Sequence, residues 1–214
     1  MTITAVLFDM DGVLLDSERH WGPELDIFFS QLVPWTPADK ERTTGIGLFG
    51  IYHYLVDRYG LAMPLDVFTE RCDAIAFRVY AKTSLSLHAK ECLTELKAAG
   101  IKVALGTSGH KTWWMVGLAG KGVEVLFDAI VGADEVNGKT KPAPDIYRKA
   151  AEKLGAQPGE CLVVEDAEMG VISAKAAGMR CLGYRTDVNV MQDLSAADRE
   201  ITDLAEIPLL ISSF

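Results

Sequence analysis

ITAVLFDMDG, residues 3–12, is an apolar run that ends in two aspartates one residue apart. Residues 3–8 lack the period-two alternation of a half-buried strand, so they predict a strand buried on both faces in the middle of a parallel sheet. Two carboxylates directly after such a strand are costly, because crowded like charges are unfavourable unless a cation or a proton offsets them. Asp9 and Asp11 therefore indicate a metal site, a catalytic site or both, although Asp and Gly are also common in plain surface turns.

Composition and charge argue against several classes of protein. The 214 residues, 49% of them hydrophobic, can form one large domain or one domain that carries an insertion. The formal net charge of -9 and the lack of a Lys/Arg run argue against nucleic acid or an anionic membrane as the main partner. No stretch reaches the roughly 18 uncharged apolar residues of a membrane span, and the N-terminus lacks a signal-peptide pattern. We expect a cytoplasmic protein that is a monomer or a weak homo-oligomer.

The segment after the first strand predicts helices only. Apolar residues recur there every three or four positions, which predicts helices over residues 21–32, 48–59 and 64–82. Gly60 closes the second of these helices, and Pro64 suits the first position of the third. We therefore predict an all-helical insertion at residues 16–83, between two parts of a core formed by residues 1–15 and 84–214.

From His88 onward, predicted helices and strands alternate. The strands are residues 102–106, 129–132, 161–164 and 181–184, and the helices are residues 89–99, 145–154 and 168–177. This alternation implies βαβ units and hence a parallel sheet that is covered on both faces. The predicted fold class is α/β, with a Rossmann-like parallel sheet core and the inserted helices. The last residues, 187–214, predict a loop, a short strand near Ile201 and a closing helix.

Most of the notable polar side chains directly follow a predicted strand. In a parallel sheet all strands point the same way, so residues at their carboxyl ends collect along one edge, where such folds bind ligands. Lys141, in the loop before a helix, can reach the same edge. The sequence therefore predicts one site built from the following residues: Asp9, Asp11, Thr107, Ser108, Lys141, Glu165 and Asp166.

These residue types suit phosphoryl transfer. Carboxylates favour Mg²⁺, which prefers oxygen ligands and often binds phosphate oxygens as well. A lysine and a hydroxyl beside the cation add contacts for an anion, and phosphoryl transfer depends mainly on positioning and on charge neutralisation. Asp9 would be the nucleophile, and Asp11 could protonate the leaving alcohol and then deprotonate the attacking water. We expect a small phosphorylated substrate and Mg²⁺ as the cofactor.

Four motifs together resemble those of the haloacid dehalogenase-like hydrolases. They are DMDGV at residues 9–13, the hydroxyl of Thr107, KPAPD at residues 141–145 and VVEDAEMG at residues 163–170, in matching order and spacing. The resemblance implies that Asp9 is the nucleophile and Asp11 the general acid and base. It implies phosphoryl ligands at Thr107, Ser108 and Lys141, and magnesium ligands at Asp9, Asp11 (through its backbone carbonyl), Asp166 and Glu165, with Glu165 either a direct ligand or a partner of one.

The helical insertion resembles the cap of the β-phosphoglucomutase-like branch of this family. Mutases of that branch carry an arginine after a G-x-x pattern and a histidine near the first motif, whereas this chain has Leu48 after Gly45-Ile46-Gly47 and Trp21 at the second position. Without that arginine, a second phosphate lacks a bidentate ligand. We therefore favour hydrolysis, with a sugar phosphomutase as the alternative. Five residues are candidates to line the substrate site: Arg19, His20, Trp21, Leu48 and His53.

Other readings of these motifs are weaker. An Asp, a Thr and a Lys at strand ends also occur in phospho-accepting receiver domains, so a signalling switch is the rival from another class. Asp11, a proton donor that a switch does not need, and the helical insertion argue against it. A dehalogenase has no use for a carboxylate that protonates a leaving alcohol. A calcium-binding EF-hand needs glycine at the sixth and glutamate at the twelfth position, where this chain has Leu14 and His20.

Overall fold

A single parallel sheet forms the centre of the structure, a computed structural model that describes residues 2–43 and 47–214. Within these residues the strand order is β3-β2-β1-β4-β5-β6. The strands are β1 (Ala5–Phe8), β2 (Lys102–Gly106), β3 (Ala129–Val131), β4 (Cys161–Glu165), β5 (Arg180–Tyr184) and β6 (Arg199–Ile201). β1 lies between β2 and β4, and all four of its residues are buried, as the apolar run predicts. The predicted α/β class is confirmed.

Nine α-helices connect and cover the strands in the described part of the chain. They are α1 (Glu18–Leu32), α2 (Pro37–Thr43), α3 (Leu48–Tyr59), α4 (Leu65–Lys82), α5 (Ala89–Ala98), α6 (Lys111–Leu118), α7 (Asp145–Leu154), α8 (Glu168–Ala176) and α9 (Ile207–Leu210). The sequence pattern did not predict α2 or α6. α2 is mostly polar and buries only Asp39 and Thr43, so it has no apolar period to detect. α6 is apolar along most of its length and contains Gly117, so it also lacks a helical period.

Side chains that alternate along the strands reach two apolar clusters, one on each face of the sheet. On one face, Ala5 and Leu7 pack with α7 and α8. On the other face, Val6 and Phe8 share a cluster with α5 and with apolar residues of α1, α3 and α4. Because both faces are covered, β1 carries apolar residues at every position instead of every second one.

Helices α1 to α4 form the helical block, which is inserted between β1 and β2. The two segments that join it to the sheet run side by side: the Ser86 N–H donates to the Leu14 carbonyl at 2.9 Å, and the Asp16 N–H donates to the Ser84 carbonyl at 3.0 Å. One apolar cluster continues from the sheet into the helical block. The division into a core and a cap at residues 15/16 and 83/84 therefore stays a prediction.

No helix in residues 2–43 or 47–214 combines the length and the apolar character that a membrane span requires.

Candidate active site

Three carboxylates meet at the carboxyl ends of β1 and β4. Phe8 pairs with Val164, and this register places Asp9, which follows β1, beside Glu165, the last residue of β4. One carboxylate oxygen from each of Asp9, Glu165 and Asp166 lies within 4.8 Å of the other two. These residues are 8%, 0% and 4% exposed. The structure thus brings together three of the four acidic residues that the sequence placed at this edge.

Lys141 supplies positive charge to this group. Its Nζ lies 2.5 Å from Asp9 Oδ1 and 2.6 Å from Glu165 Oε1, and it also lies over the ring of Tyr147, 5.2 Å from the ring centroid. Burial lowers the pKa of Lys141, but the carboxylates of Asp9 and Glu165 outweigh burial and raise it. The lysine is therefore charged and bridges two strands of the site. We call Asp9, Lys141, Glu165 and Asp166 the site cluster.

The site cluster holds three carboxyl groups but only one ammonium, that of Lys141. Burial raises the pKa of Asp9 from 3.8 to about 8, with further increases from Glu165 and Asp11 and an opposing effect from Lys141. Burial also raises the pKa of Asp166 well above its usual range. A cation among the three carboxylates would offset this repulsion, and their oxygen atoms are the ligands that Mg²⁺ prefers. The residues present therefore fit Mg²⁺.

Two glycines make room for the acidic side chains. A Cβ on Gly12, whose φ is +80°, would lie 2.0 Å from Asp166 Oδ2, and a Cβ on Gly170 would lie 1.9 Å from the Glu165 carboxyl carbon. Neither position can carry a side chain while the carboxylates stay in place. The glycines of DMDG and EDAEMG are thus explained by packing against the site.

Glu165 is held by groups that the sequence analysis missed. The Tyr147 hydroxyl donates to Glu165 Oε1 at 2.5 Å, and the Asp166 backbone N–H donates to Oε2 at 3.1 Å. Tyr147 is fully buried on α7, two residues after the KPAPD motif. Its position on the buried face of that helix is the signal that could have identified it.

Thr107 lies at the same edge, directly after β2. The pairing of Phe8 with Leu105 places the end of β2 beside the end of β1. Thr107 is buried, and its Oγ1 accepts a hydrogen bond from the Gly109 N–H at 3.0 Å. Ser108 follows and is half-buried. Their roles as phosphoryl ligands stay predictions.

Asp11 points to the helical block instead of joining the other three carboxylates. Its Oδ1 accepts hydrogen bonds from Ser17 Oγ at 2.6 Å and Trp21 Nε1 at 3.1 Å, and its Oδ2 accepts one from the Tyr80 hydroxyl at 3.1 Å. Burial raises the pKa of Asp11, and these three hydrogen bonds oppose that rise. The contacts that Ser17 and Tyr80 make with Asp11 were not predicted from the sequence. A metal contact through the Asp11 backbone carbonyl stays a prediction.

A cavity of about 260 Å³ lies beside Gly12, between the start of α1 and the segments that follow β5 and β6. Arg19, one of the predicted lining residues, lines this cavity, as does Thr186. The Thr186 Oγ1 is buried and has no hydrogen-bond partner among the described residues. A polar group of a ligand could satisfy it, because buried hydroxyls are normally hydrogen-bonded.

The remaining predicted lining residues have other surroundings. Trp21 contacts Asp11, and the exposed His53 packs edge-on against Phe49. His20 is half-buried. Leu48 begins α3 next to Gly47, where a Cβ would lie 3.3 Å from Thr140 Oγ1, so this end of α3 approaches the loop that carries Lys141. Gly45 and Ile46 lie outside the described residues.

Known proteins match most of this chain. A family model described as haloacid dehalogenase-like hydrolase matches residues 6–184. The phosphorylated carbohydrates phosphatase of Thermotoga maritima is 32% identical over 178 residues, which are 82% of each chain. The chloroplastic protein SUPPRESSOR OF QUENCHING 1 of Arabidopsis thaliana is 37% identical over 195 residues. That match covers 87% of this chain but only 18% of the plant protein, so the chain spans less than a fifth of that relative's length.

Solved structures share the architecture. The crystal structure of CbbY from Rhodobacter sphaeroides in complex with phosphate has a TM-score of 0.83 and 26% identity, and the match covers 99% of this chain and 100% of that chain. β-Phosphoglucomutases are also among the solved structures with this fold.

Proposed function

The chain belongs to the haloacid dehalogenase-like hydrolases, and from that premise we propose that it is a Mg²⁺-dependent phosphatase that hydrolyses a small phosphorylated metabolite through an aspartyl phosphate. The observation that carries the proposal is the ammonium of Lys141 between Asp9 and Glu165, in a buried group of three carboxylates. A buried group of three carboxyl groups and one ammonium is suited to a cation and a phosphoryl group. The phosphatase name of the Thermotoga maritima relative supports the same activity.

In the first step, a carboxylate oxygen of Asp9 attacks phosphorus, and the bond between phosphorus and the leaving oxygen breaks. Asp11 gives its proton to that oxygen, which leaves as an alcohol. Lys141 and Thr107 bind the phosphoryl oxygens, and Lys141 also orients Asp9 through their ion pair. Proton transfer of this kind contributes roughly 10²- to 10⁴-fold to the rate.

In the second step, water attacks the phosphorus of the aspartyl phosphate. Asp11, now deprotonated, takes a proton from that water, and the bond between phosphorus and Asp9 breaks. Inorganic phosphate leaves, and both aspartates return to their starting states. Asp9, Asp166 and the backbone carbonyl of Asp11 would hold Mg²⁺, which supplies charge neutralisation for the phosphoryl oxygens. Glu165, which is fixed by Tyr147 and Lys141, would orient these ligands.

Hydrolysis is favoured over phosphomutase activity by two positions. The first residue of α3 is Leu48, where mutases of the resembling branch carry an arginine, and a leucine cannot bind a second phosphate. Trp21 stands where those mutases carry a histidine, and its indole is engaged with Asp11. We propose phosphorylated carbohydrates as the first substrate class to test, because the Thermotoga maritima relative carries that name.

The test is a screen of phosphorylated metabolites with Mg²⁺ and, separately, with a chelator. The screen includes sugar phosphates, phosphoglycolate, nucleotides and phosphoserine. We expect phosphate release from at least one compound, lost with the chelator and in an Asp9→Asn variant. Failure to hydrolyse any compound, or hydrolysis that the chelator does not affect, would contradict the proposal. Interconversion of hexose 1- and 6-phosphates that depends on a bisphosphate primer would instead establish a mutase.

A further inference from the structure

The carboxylate of Asp11 is held by three donors, and two of them are aromatic side chains of the helical block. Ser17 and Trp21 donate to Oδ1, and Tyr80 donates to Oδ2. Ser17 and Tyr80 are buried, and Trp21 is half-buried. Asp11 therefore has a defined orientation, in contrast to a carboxylate exposed to water.

These donors distinguish the two oxygens of Asp11. An ionised carboxylate offers about four lone-pair positions, two on each oxygen. Ser17 and Trp21 occupy both positions on Oδ1, whereas Tyr80 occupies one on Oδ2. One position, on Oδ2, is left for a proton.

We propose that Trp21 and Tyr80 are positioning residues, which fix Asp11 so that its Oδ2 delivers the proton to the leaving group. This inference rests on the proposed phosphatase function. In the step itself, the proton moves from Oδ2 to the leaving oxygen as the bond between phosphorus and that oxygen breaks. Trp21 keeps its own proton throughout, because an indole N–H is only a donor.

The two aromatic residues come from the first and the last helix of the helical block, so they are far apart in sequence but adjacent in the structure. Trp21 lies in the first turn of α1, and Tyr80 lies in the last turn of α4. Their rings meet edge-to-face, with centroids 5.7 Å apart and an angle of 90° between the planes. The rings therefore support each other, and the placement of the helical block on the sheet fixes the orientation of Asp11.

Trp113 of α6 provides a matched control. Its ring centroid lies 5.3 Å from that of Trp21, but its Nε1 donates to Asp73 Oδ1 at 2.5 Å. Trp21→Phe and Trp113→Phe thus each remove one indole N–H from the same aromatic group. Only the first removes a hydrogen bond from Asp11.

The test compares wild type with Trp21→Phe, Tyr80→Phe and Trp113→Phe on a series of substituted phenyl phosphates with Mg²⁺. The measurement is kcat/KM against the pKa of the leaving phenol, because a good leaving group needs little protonation. We expect Trp21→Phe and Tyr80→Phe to lose about 10- to 100-fold on phenyl phosphate and less than about threefold on p-nitrophenyl phosphate. In Trp113→Phe, kcat/KM should fall only slightly, and by the same factor for every phenyl phosphate in the series.

A uniform loss across the series in Trp21→Phe, or a profile like that of Trp113→Phe, would overturn the inference while leaving the proposed function in place. In an Asp11→Asn background, Trp21→Phe should have little further effect, because it acts through Asp11. Wild-type protein that hydrolyses no phenyl phosphate and no metabolite would instead overturn the proposed function, and the inference with it.

A second measurement does not depend on activity. In protein labelled with ¹⁵N-tryptophan, Asp11→Ala should shift the indole N–H resonance of Trp21 and leave that of Trp113 in place. An unchanged Trp21 resonance would contradict the hydrogen bond on which the inference rests.

Discussion

Two buried aspartates of this chain, Asp39 and Asp9, lie in opposite electrostatic surroundings. Asp39, in α2 of the helical block, is buried, and it accepts hydrogen bonds from three residues and forms an ion pair with a fourth. We call this group the Asp39 cluster; it consists of Thr36, Asp39, Tyr54, Arg58 and Tyr59. Burial raises the pKa of Asp39, but the hydrogen bonds from Thr36, Tyr54 and Tyr59 outweigh burial and lower it.

Asp9 shares one ammonium with Glu165 and lies close to Asp166, so this single cation serves three carboxyl groups. Its pKa rises to about 8, mainly through burial. This difference distinguishes buried carboxylates that stabilise the fold from those that belong to a functional site. A buried carboxylate with a full set of donors stabilises the fold, whereas one that shares a single cation with other carboxylates indicates a site for a metal ion or for chemistry.

The largest effects are expected when each aspartate is neutralised in turn, which tests whether Asp9 serves activity and Asp39 serves stability. Asp9→Asn should keep the fold and reduce turnover by roughly 10⁴-fold or more, because it removes the proposed nucleophile. Asp39→Asn should lower the unfolding temperature and keep most of the activity per folded molecule, since it leaves Arg58 without its counter-charge. The measurements are kcat and thermal unfolding followed by circular dichroism. Mg²⁺-dependent hydrolysis by Asp9→Asn, or unchanged unfolding of Asp39→Asn, would contradict the distinction.

Two phenols, one that donates to each cluster, give a finer test. Tyr147→Phe removes the donor to Glu165 and should weaken Mg²⁺ binding by about 10- to 100-fold, because partners of metal ligands orient them. Tyr59→Phe removes a donor to Asp39 and should leave Mg²⁺ binding unchanged while slightly lowering the unfolding temperature. Isothermal titration calorimetry measures Mg²⁺ binding by the two variants, and thermal unfolding measures the stability of Tyr59→Phe. An equal loss of Mg²⁺ affinity in the two variants would contradict the assignment of Mg²⁺ binding to the site cluster alone.

The contributions of Asp9 and Asp39 to the free energy of unfolding should also change over different pH ranges. The folded-state pKa of Asp9 is raised from 3.8 to about 8, so metal-free folded protein holds a proton that the unfolded chain releases. The contribution of Asp9 to the free energy of unfolding is therefore full below about pH 4 and is lost as the pH rises through 8. Mg²⁺, which competes with protons, should stabilise the protein most at pH 8.

The contribution of Asp39 to the free energy of unfolding has the opposite pH dependence. Its pKa is lowered, so its contribution is present at neutral pH and is lost only as the pH falls below about 4. Unfolding temperatures of wild type, Asp9→Asn and Asp39→Asn, measured from about pH 2 to 8 with and without Mg²⁺, test these ranges. The same pH dependence in wild type and Asp9→Asn would contradict the role of Asp9.

The smallest expected effect concerns a cation that belongs to neither cluster. Arg19 lines the cavity, its side chain is 45% exposed, and its Nη2 lies 3.5 Å from Asp187 Oδ1. Arg19→Ala should raise KM by about 3- to 10-fold with little change in kcat, since an exposed cation adds only modest binding energy. Arg78→Ala is the control, because Arg78 pairs with Glu24 on the helical block. A change in kcat without a change in KM would place Arg19 in the chemistry instead.

The sequence was sufficient to predict the sheet and its acidic edge. Residues 5–8, directly before Asp9, are apolar at every position, which indicates a central parallel strand, and parallel strands bring their carboxyl ends to one edge. The meeting of Asp9 with Glu165 and Asp166 followed from that rule, although these residues are far apart in the chain. Lys141 reaches them from the loop before α7.

The surroundings of Asp11 could not be predicted in the same way. Trp21 and Tyr80 donate to it from 10 and 69 positions along the chain, and a helical period identifies a buried face but not the partner of each side chain. α2 was missed for a related reason. It is held by the polar contacts of Asp39, which leave no apolar pattern in the sequence.

The central claim is that the site cluster allows Asp9 to accept a phosphoryl group. The most direct test is acid quenching during turnover with Mg²⁺, followed by mass spectrometry of peptides. We predict a phosphoryl group on the peptide that contains Asp9, absent when a chelator is present and absent in Asp9→Asn. Turnover with no phosphorylated residue, or with the phosphoryl group on another residue, would contradict the account.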